Sequence, residues 1–456
     1  MAEAVRTGET SAAELVEAHL QQIERVNPEI NAFVCVLADE ARRRAQALDG
    51  SEPRGPLHGV PVTIKDSFDL EGLPTLCGSR LRLGHRAGAD STSAARLKRA
   101  GAVILGKTNC PEFLMNYETD NHITGRTNNP WDVERTAGGS SGGEAAAIAA
   151  RCSGGGVGSD GGGSIREPAH FCGIVGLKPT PGRCPATGHF PEIAHPGGLL
   201  GVGGPMARTV RDVRLLFEVL AGHDPLDPFS APVELRPAEA PGVRIGVMEQ
   251  VGGVPVQERV RQAVKKAAAL LEEAGFAVEE FPWAAAERAV RLWDFFFNRL
   301  SLTVMREVLE QNRERLHWTG TELWDRVADE PEPTAKQVVE NLTARDKLRA
   351  ELVRKMGPRR LLLWPCCGTP AFRHRERSWE TPAGPIDYAE AMAPLVPANL
   401  LGMPAVAVPV ELVEDRGSRL PAGVQLIGRP WDEELLLAVA GRLEEVRGPF
   451  PGPPAA

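Results

Sequence analysis

The sequence predicts an α/β fold. Two observations carry this: short apolar runs of strand length alternate with longer segments of helical period, and the period switches from 3.6 to 2 more than once along the chain. A third is a dense run of glycines between positions 137 and 164, flanked by apolar segments where a linker would have polar ones.

The elements follow in order. Ser11-x-x-Glu14 is a capping box, and Leu15, Val16, His19, Leu20 and Ile23 continue at helical spacing, so the first element is an amphipathic helix. A second helix covers 37–48, rich in Ala and Arg. From Gly59 the pattern becomes that of a strand, with Val60, Val62 and Ile64 alternating up to Lys65-Asp66. Residues 91–99 read as a helix and 102–105 as a buried strand, whereas Asp132–Thr136 is polar and not strand-like. Gly138-Gly139-Ser140-Ser141-Gly142-Gly143 then leads into the helix formers Glu144–Ala150, and Gly154–Gly156, Val157 and Gly158-Ser159-Asp160 run into Gly161-Gly162-Gly163-Ser164. Glycine inside a regular element costs about 0.5–1 kcal/mol relative to Ala, so it is kept where backbone approaches something closely or φ is positive.

Beyond a Pro-rich connection at 225–241, residues 243–248 read as a strand. A helix from about 256 carries Val260, Val264, Ala267, Ala268 and Leu271 and stops at Gly275. The helical stretch 283–311 holds Trp293, Phe295, Phe296 and Phe297, read as core, with the wall of an apolar channel as the alternative. Strands at 403–412 and 423–427 and a helix at 432–446 close the chain, and 448–456, with four prolines, reads as a disordered tail.

Composition excludes several function classes. A formal charge of −8 argues against a nucleic-acid partner, which demands a basic stripe. The eight cysteines form no C-x-x-C pair, so reduced thiols are expected, with neither a zinc site nor a disulfide framework. Nothing points to a metal or an organic cofactor. The N-terminus lacks a basic segment followed by an apolar run, and no stretch reaches the roughly 18–20 apolar residues of a membrane span, so a cytoplasmic location is expected.

Three polar features sit at strand ends or among glycines: Lys65, the Ser140-Ser141 pair and Ser164. A serine hydroxyl is a poor nucleophile until a base takes its proton. None of the ten histidines stands in a motif with a serine. Lysine can serve if it is neutral; bringing its pKa from about 10.4 to about 7 takes roughly 4–5 kcal/mol of differential desolvation. Lys65, at the end of an apolar strand, is placed for that burial, although a strand-end lysine taken alone is more often a solvated charge.

Read together, the stretches resemble the amidase signature family. Gly59-Val-Pro-Val-Thr-Ile-Lys65-Asp66 is similar to its lysine strand, Gly138-Gly-Ser-Ser-Gly-Gly143 to its serine-glycine loop, and Gly158-Ser-Asp-Gly-Gly-Gly-Ser164-Ile-Arg166 to its nucleophile loop. Pro168-Ala169, Phe171-Cys172-Gly173 and Gly176-Leu-Lys-Pro179 follow, and the likeness runs from the first helix to Gly423–Arg429. Asn109–Phe113 and Gly125–Pro130 look most like the branch similar to fatty-acid amide hydrolase.

The resemblance implies one domain over 1–456: a large, mixed, twisted sheet covered by helices on both faces, with a catalytic core at 59–223 and a helical pocket region at 243–400. It implies a Ser-cisSer-Lys triad in which Ser164 attacks, Ser140 on a cis peptide relays the proton and Lys65 is the base. The N–H groups of Gly161, Gly162, Gly163 and Ser164 would form the oxyanion hole, and Ser141, Asp160 and Arg166 would hold the loops. Ser141 would do so by capping the next helix or by bonding within its loop. The implied activity is hydrolysis of carboxylic amide C–N bonds through an acyl-enzyme, with carbamate and ester cleavage open to the same chemistry. The substrate is then a small-molecule amide or carbamate, and the enzyme a monomer or homodimer.

Two positions depart from the family pattern. Gly161 replaces a Thr or aliphatic residue, and Glu167 replaces an apolar residue or Gln. Glu167 would either face the pocket, drawing amine-bearing substrates, or pair with a nearby Arg or Lys. Phe296, Cys366 and Cys367 are further candidates for the pocket wall, with plain packing as the alternative for the two cysteines.

Other readings compete. An amidotransferase A-type subunit, working with partner subunits in aminoacyl-tRNA amidation, uses the same fold. Gly138-x-Ser140-x-Gly142 also satisfies the nucleophile elbow of α/β-hydrolases. That fold needs a strand just before the serine and a late histidine, whereas the last histidine here is His374, in a basic loop. A non-catalytic binding protein on this fold would not need all three triad positions filled.

Overall fold

The computed structural model describes residues 1–194, 197–238 and 240–454. Eleven strands build one sheet: β1 (Phe33–Val36), β2 (Pro61–Lys65), β3 (Val103–Thr108), β4 (Gly155–Asp160), β5 (Val175–Lys178), β6 (Val202–Ala207), β7 (Arg244–Val247), β8 (Ala277–Glu280), β9 (Arg359–Pro365), β10 (Ala405–Asp415) and β11 (Ser418–Gly428). Their spatial order is β1-β3-β2-β4-β6-β5-β10-β11-β9-β7-β8. β2 runs parallel to β3 and β4, while β4–β6, β5–β6 and β10–β11 are antiparallel, so the sheet is mixed as expected.

Strand periodicity assigns each side chain a face. Ile104 joins one buried cluster while Val103 and Leu105 join the other; in β9, Leu361 and Leu363 part from Leu362 and Trp364 in the same way. Each face is therefore covered by its own apolar layer. In β2 the alternation sends Val62 and Ile64 into one cluster and Thr63 and Lys65 to the opposite face.

Local chemistry explains the helices. The first long helix, Ala12–Ile30, starts at Ser11, whose side chain accepts from the Glu14 N–H in a complete capping box, and it buries Val16, Leu20 and Ile23. Ala38–Asp49, Thr92–Arg99, Glu258–Glu273 and Glu433–Arg447 lie where the apolar spacing put them.

Three stretches differ from their reading in the sequence. Gly155–Asp160, noted there only for its glycines, is a central strand, because glycine there admits neighbours to the sheet face. Asp132–Thr136 is a strand after all, paired with Asn128–Asn129 in a separate small hairpin, where Arg135 is buried but paired with Asp132 and Asp415. The C-terminal segment through Pro454 is not loose: the Phe450 ring lies edge-on to Trp131 at 6.2 Å and Pro453 is buried. The half-buried Phe450 ring and the buried Pro453 hold the proline-rich segment against the body of the protein. Residues 455 and 456 lie outside the described residues. Among the described residues no helix is long and apolar enough to cross a membrane.

Candidate active site

Lys65 ends β2 with its side chain fully buried on the face away from Val62 and Ile64. Its Nζ lies 2.7 Å from Ser140 Oγ, 3.0 Å from Ser141 Oγ and 3.1 Å from Ser159 Oγ. Among the described residues it makes no ion pair. Burial pushes the amine down to about 8, against smaller opposing effects of Cys110, Cys77, Asp160 and Glu144. Three hydroxyls can accept from an ammonium; equally, Ser140 can turn and donate to a neutral amine.

Glycine makes room for this cluster. A Cβ on Gly156 would stand 2.0 Å from the Glu144 carboxyl and 2.4 Å from the Thr63 carbonyl, and one on Gly158 would stand 2.8 Å from Ser141 Oγ. Those two glycines mark the site-facing side of β4. Glu144, in the helix Gly142–Ala149, is fully buried and accepts from Thr63 and Thr108; burial raises its carboxyl to about 7. Ser141 does not cap that helix with its side chain: its hydroxyl takes the Lys65 contact and donates to the Ser159 carbonyl.

The peptide between Gly139 and Ser140 is cis. The Ser141 N–H donates to the Ser164 carbonyl at 3.1 Å, which ties the two serine loops together. Ser140, Ser159, Gly161 and Ser164 line one cavity of about 130 Å³, with His189 and Phe297 among its other walls.

The nucleophile loop is held from below. Asp160 accepts from the Gly163 N–H at 2.7 Å, the Ile165 N–H at 3.1 Å and Arg166 Nε at 3.0 Å. Burial alone would raise this carboxyl, but the Arg166 guanidinium and the surrounding donors outweigh it and hold it well below the usual carboxylate range. Arg166 also donates to the Leu395 carbonyl and to Gln425, so the loop is fastened to β11 and the chain ahead of the helix Val396–Leu400.

Four donors were expected in the oxyanion hole, and one of them is committed elsewhere. Gly163 sits at φ +122 with its N–H directed to Asp160. The N–H groups of Gly161, Gly162 and Ser164 have no partner among the described residues. Trp293 Nε1 donates to the Gly161 carbonyl at 2.9 Å and the Tyr117 hydroxyl to the Gly162 carbonyl at 2.7 Å, so the peptide planes that carry the Gly162 and Gly163 N–H groups are fixed. Tyr117 and Trp293 carry no motif by which the sequence could assign them this task.

The pocket candidates fare worse. Phe296 is fully buried against Phe295, and the neighbouring Phe297 meets the cavity instead, stacked on Trp293 at 4.6 Å. The cause is a π-helical turn over Phe295–Leu300, where the Ser301 N–H reaches back to the Phe296 carbonyl and shifts the helical face by one residue. Cys366 and Cys367 are buried and absent from the cavity wall; Cys367 Sγ lies 3.7 Å from the Met392 sulfur. Among the described residues Glu167 neither faces the cavity nor pairs with a cation. It is buried behind the Ser140 loop, where its Oε2 accepts the Gly139 N–H at 2.9 Å. Burial raises its carboxyl well above the ordinary 4.5. Among the described residues no group of three or more His, Cys, Asp or Glu side chains could hold a metal ion.

Comparison with known proteins fits this geometry. The model of the Amidase family matches residues 14–437. The indoleacetamide hydrolase of Bradyrhizobium diazoefficiens is 36% identical, over 98% of this chain and 86% of its own. The A-type subunit of glutamyl-tRNA(Gln) amidotransferase from Roseiflexus castenholzii is 37% identical, over 97% and 94%. A solved bacterial aryl acylamidase of the amidase signature family superposes with a TM-score of 0.86 at 30% identity, over 98% of this chain and 95% of that one. A matched family model over nearly the whole chain, on the expected sheet, establishes that this chain belongs to the amidase signature family.

Proposed function

We propose that this chain is an amidohydrolase that cleaves carboxylic amide C–N bonds with Ser164 as nucleophile, Ser140 as proton relay and Lys65 as base. The observation that carries the reading is the buried Lys65 amine, 2.7 Å from the Oγ of Ser140, which itself shares a cavity wall with Ser164. In the first step Ser164 Oγ bonds to the substrate carbonyl carbon while its proton passes to Ser140, whose own proton passes to Lys65. The N–H groups of Gly161, Gly162 and Ser164 receive the oxyanion; one such donor is worth about 10²- to 10³-fold in rate. The C–N bond then breaks as Lys65 returns the proton through Ser140 to the leaving amine. Water repeats the sequence on the acyl-enzyme and frees the acid. Carbamates and esters present the same carbonyl to the same donors, and the motifs at 109–113 and 125–130 favour the branch similar to fatty-acid amide hydrolase.

A purified single chain tests this with a simple anilide. Ser164→Ala is expected to lower kcat by about 10⁴-fold or more, with Lys65→Ala and Ser140→Ala each severely impaired. Retained turnover by Ser164→Ala overturns the reading. The 37% identity to an amidotransferase A-type subunit favours a second one, in which the same site frees ammonia for other subunits of a complex. Anilide turnover by the chain alone excludes an obligate partner; glutamine hydrolysis that starts only once partner subunits are supplied supports the second reading.

A further inference from the structure

His189 is the one histidine among the described residues on the wall of the catalytic cavity, and the proton relay does not use it. It is only 6% exposed, and the Phe68 ring meets it edge-on at 4.8 Å. Its Nδ1 lies 2.7 Å from the Pro191 carbonyl oxygen. A carbonyl only accepts, so Nδ1 carries the hydrogen, and in a neutral ring Nε2 is left as a lone-pair acceptor. Burial keeps the ring neutral, pushing it down to about 3. Nε2 is itself buried and has no hydrogen-bond partner among the described residues.

His189 also lines an adjoining chamber of about 510 Å³, whose walls include Asp69, Arg82 and Glu192. The side chain thus borders both the cavity of the two serines and a space large enough for a substrate's leaving portion.

We propose that His189 Nε2 accepts the N–H of the scissile amide, or of an N–H-bearing carbamate, and directs the amine side of the substrate toward the larger chamber. His189 is then a specificity-determining residue that selects N–H-bearing substrates over esters. An N–H donor satisfies the buried acceptor, whereas an ester oxygen presents a second lone pair to it and leaves it unpaired. This inference rests on the hydrolase reading above, with the acyl group on Ser164.

The test compares kcat/KM for an anilide and for the phenyl ester of the same acid, in the wild-type chain and in His189→Phe and His189→Gln. His189→Phe is expected to lower the anilide-to-ester ratio by roughly 10- to 100-fold. His189→Gln, which keeps an acceptor oxygen, should recover part of that ratio. Equal losses on the two substrates, or an unchanged ratio, overturn the proposal. A second measurement needs no variant: the wild-type chain should turn over the N-methyl anilide at least about 10-fold less efficiently than the anilide, and equal efficiency overturns the proposal. Ser164→Ala run on both substrates separates the two levels, because retained hydrolysis there defeats the hydrolase reading itself, while a failed ratio defeats only the role of His189.

Discussion

At the scale of single residues, the chemistry is set by what burial does to ionisable groups that lack an opposite charge. Lys65 is surrounded by hydroxyls rather than carboxylates, so desolvation moves its pKa down to about 8. Only the neutral amine can take a proton, so kcat/KM should fall on the acid side as pH drops below about 8, by about tenfold per unit. A pH–rate profile on a neutral amide checks this, and a flat profile between roughly pH 6 and roughly pH 9 would contradict it. Glu167 shows the opposite sign. Its carboxyl is raised in the fold above the ordinary 4.5, so its stabilising contribution is complete below that value and is lost as pH climbs toward the folded pKa. Glu167→Gln keeps an acceptor for Gly139 and cannot ionise. Its stability relative to wild type should therefore rise by about 1.4 kcal/mol per pH unit above the ordinary carboxyl pKa, measured by urea unfolding at several pH values.

At the scale of elements, glycine works as an absence of atoms. β4 is a central strand only because Gly156 and Gly158 let Glu144 and Ser141 lie against its face. At Gly163 two constraints coincide: φ is +122, and a Cβ would meet the Leu395 side chain at 2.5 Å. Gly163→Ala should therefore reduce activity by at least about 10²-fold, the cost of misplacing one of the neighbouring N–H groups proposed to receive the oxyanion. Adding Leu395→Ala removes the clash but not the backbone penalty, so the double variant should recover little of that loss. Full recovery in a steady-state assay would show that crowding alone matters.

At the scale of the whole molecule, the nucleophile loop depends on chain more than two hundred residues away. Arg166 joins Asp160 to the Leu395 carbonyl, Asn399 and Gln425, all inside the protein. Removing one member of a buried ion pair leaves the other charge uncompensated, at about 3–5 kcal/mol. Arg166→Met is expected to lose that much stability in chemical denaturation and to lose activity with it. A loss below about 1 kcal/mol would mean that water reaches Asp160.

How much of this was legible in the sequence depended on whether the signal was local. The capping box at Ser11, the alternation Val62–Ile64 ahead of Lys65 and the C-terminal Gly275 report only on their neighbours, and the structure follows them. The three proposed triad positions were legible through motif likeness; Ser140 and Ser164 share one cavity wall, and the Lys65 amine lies 2.7 Å from Ser140 Oγ. Phe297, Tyr117, Trp293 and His189 were not, because their places depend on a π-helical turn, on loop crossings and on which carbonyl happens to face a ring nitrogen.

Residue order alone determined the α/β class, the strand that ends on Lys65 and the glycine-framed serines, since periodicity and backbone freedom are properties of the chain itself. Tertiary structure decided the rest: that Gly163 gives its N–H to Asp160, that Glu167 lies behind the Ser140 loop instead of in the pocket, and that His189 Nε2 has no partner among the described residues. Those outcomes turn on which distant atoms share a dry, crowded space, and no local pattern encodes that company.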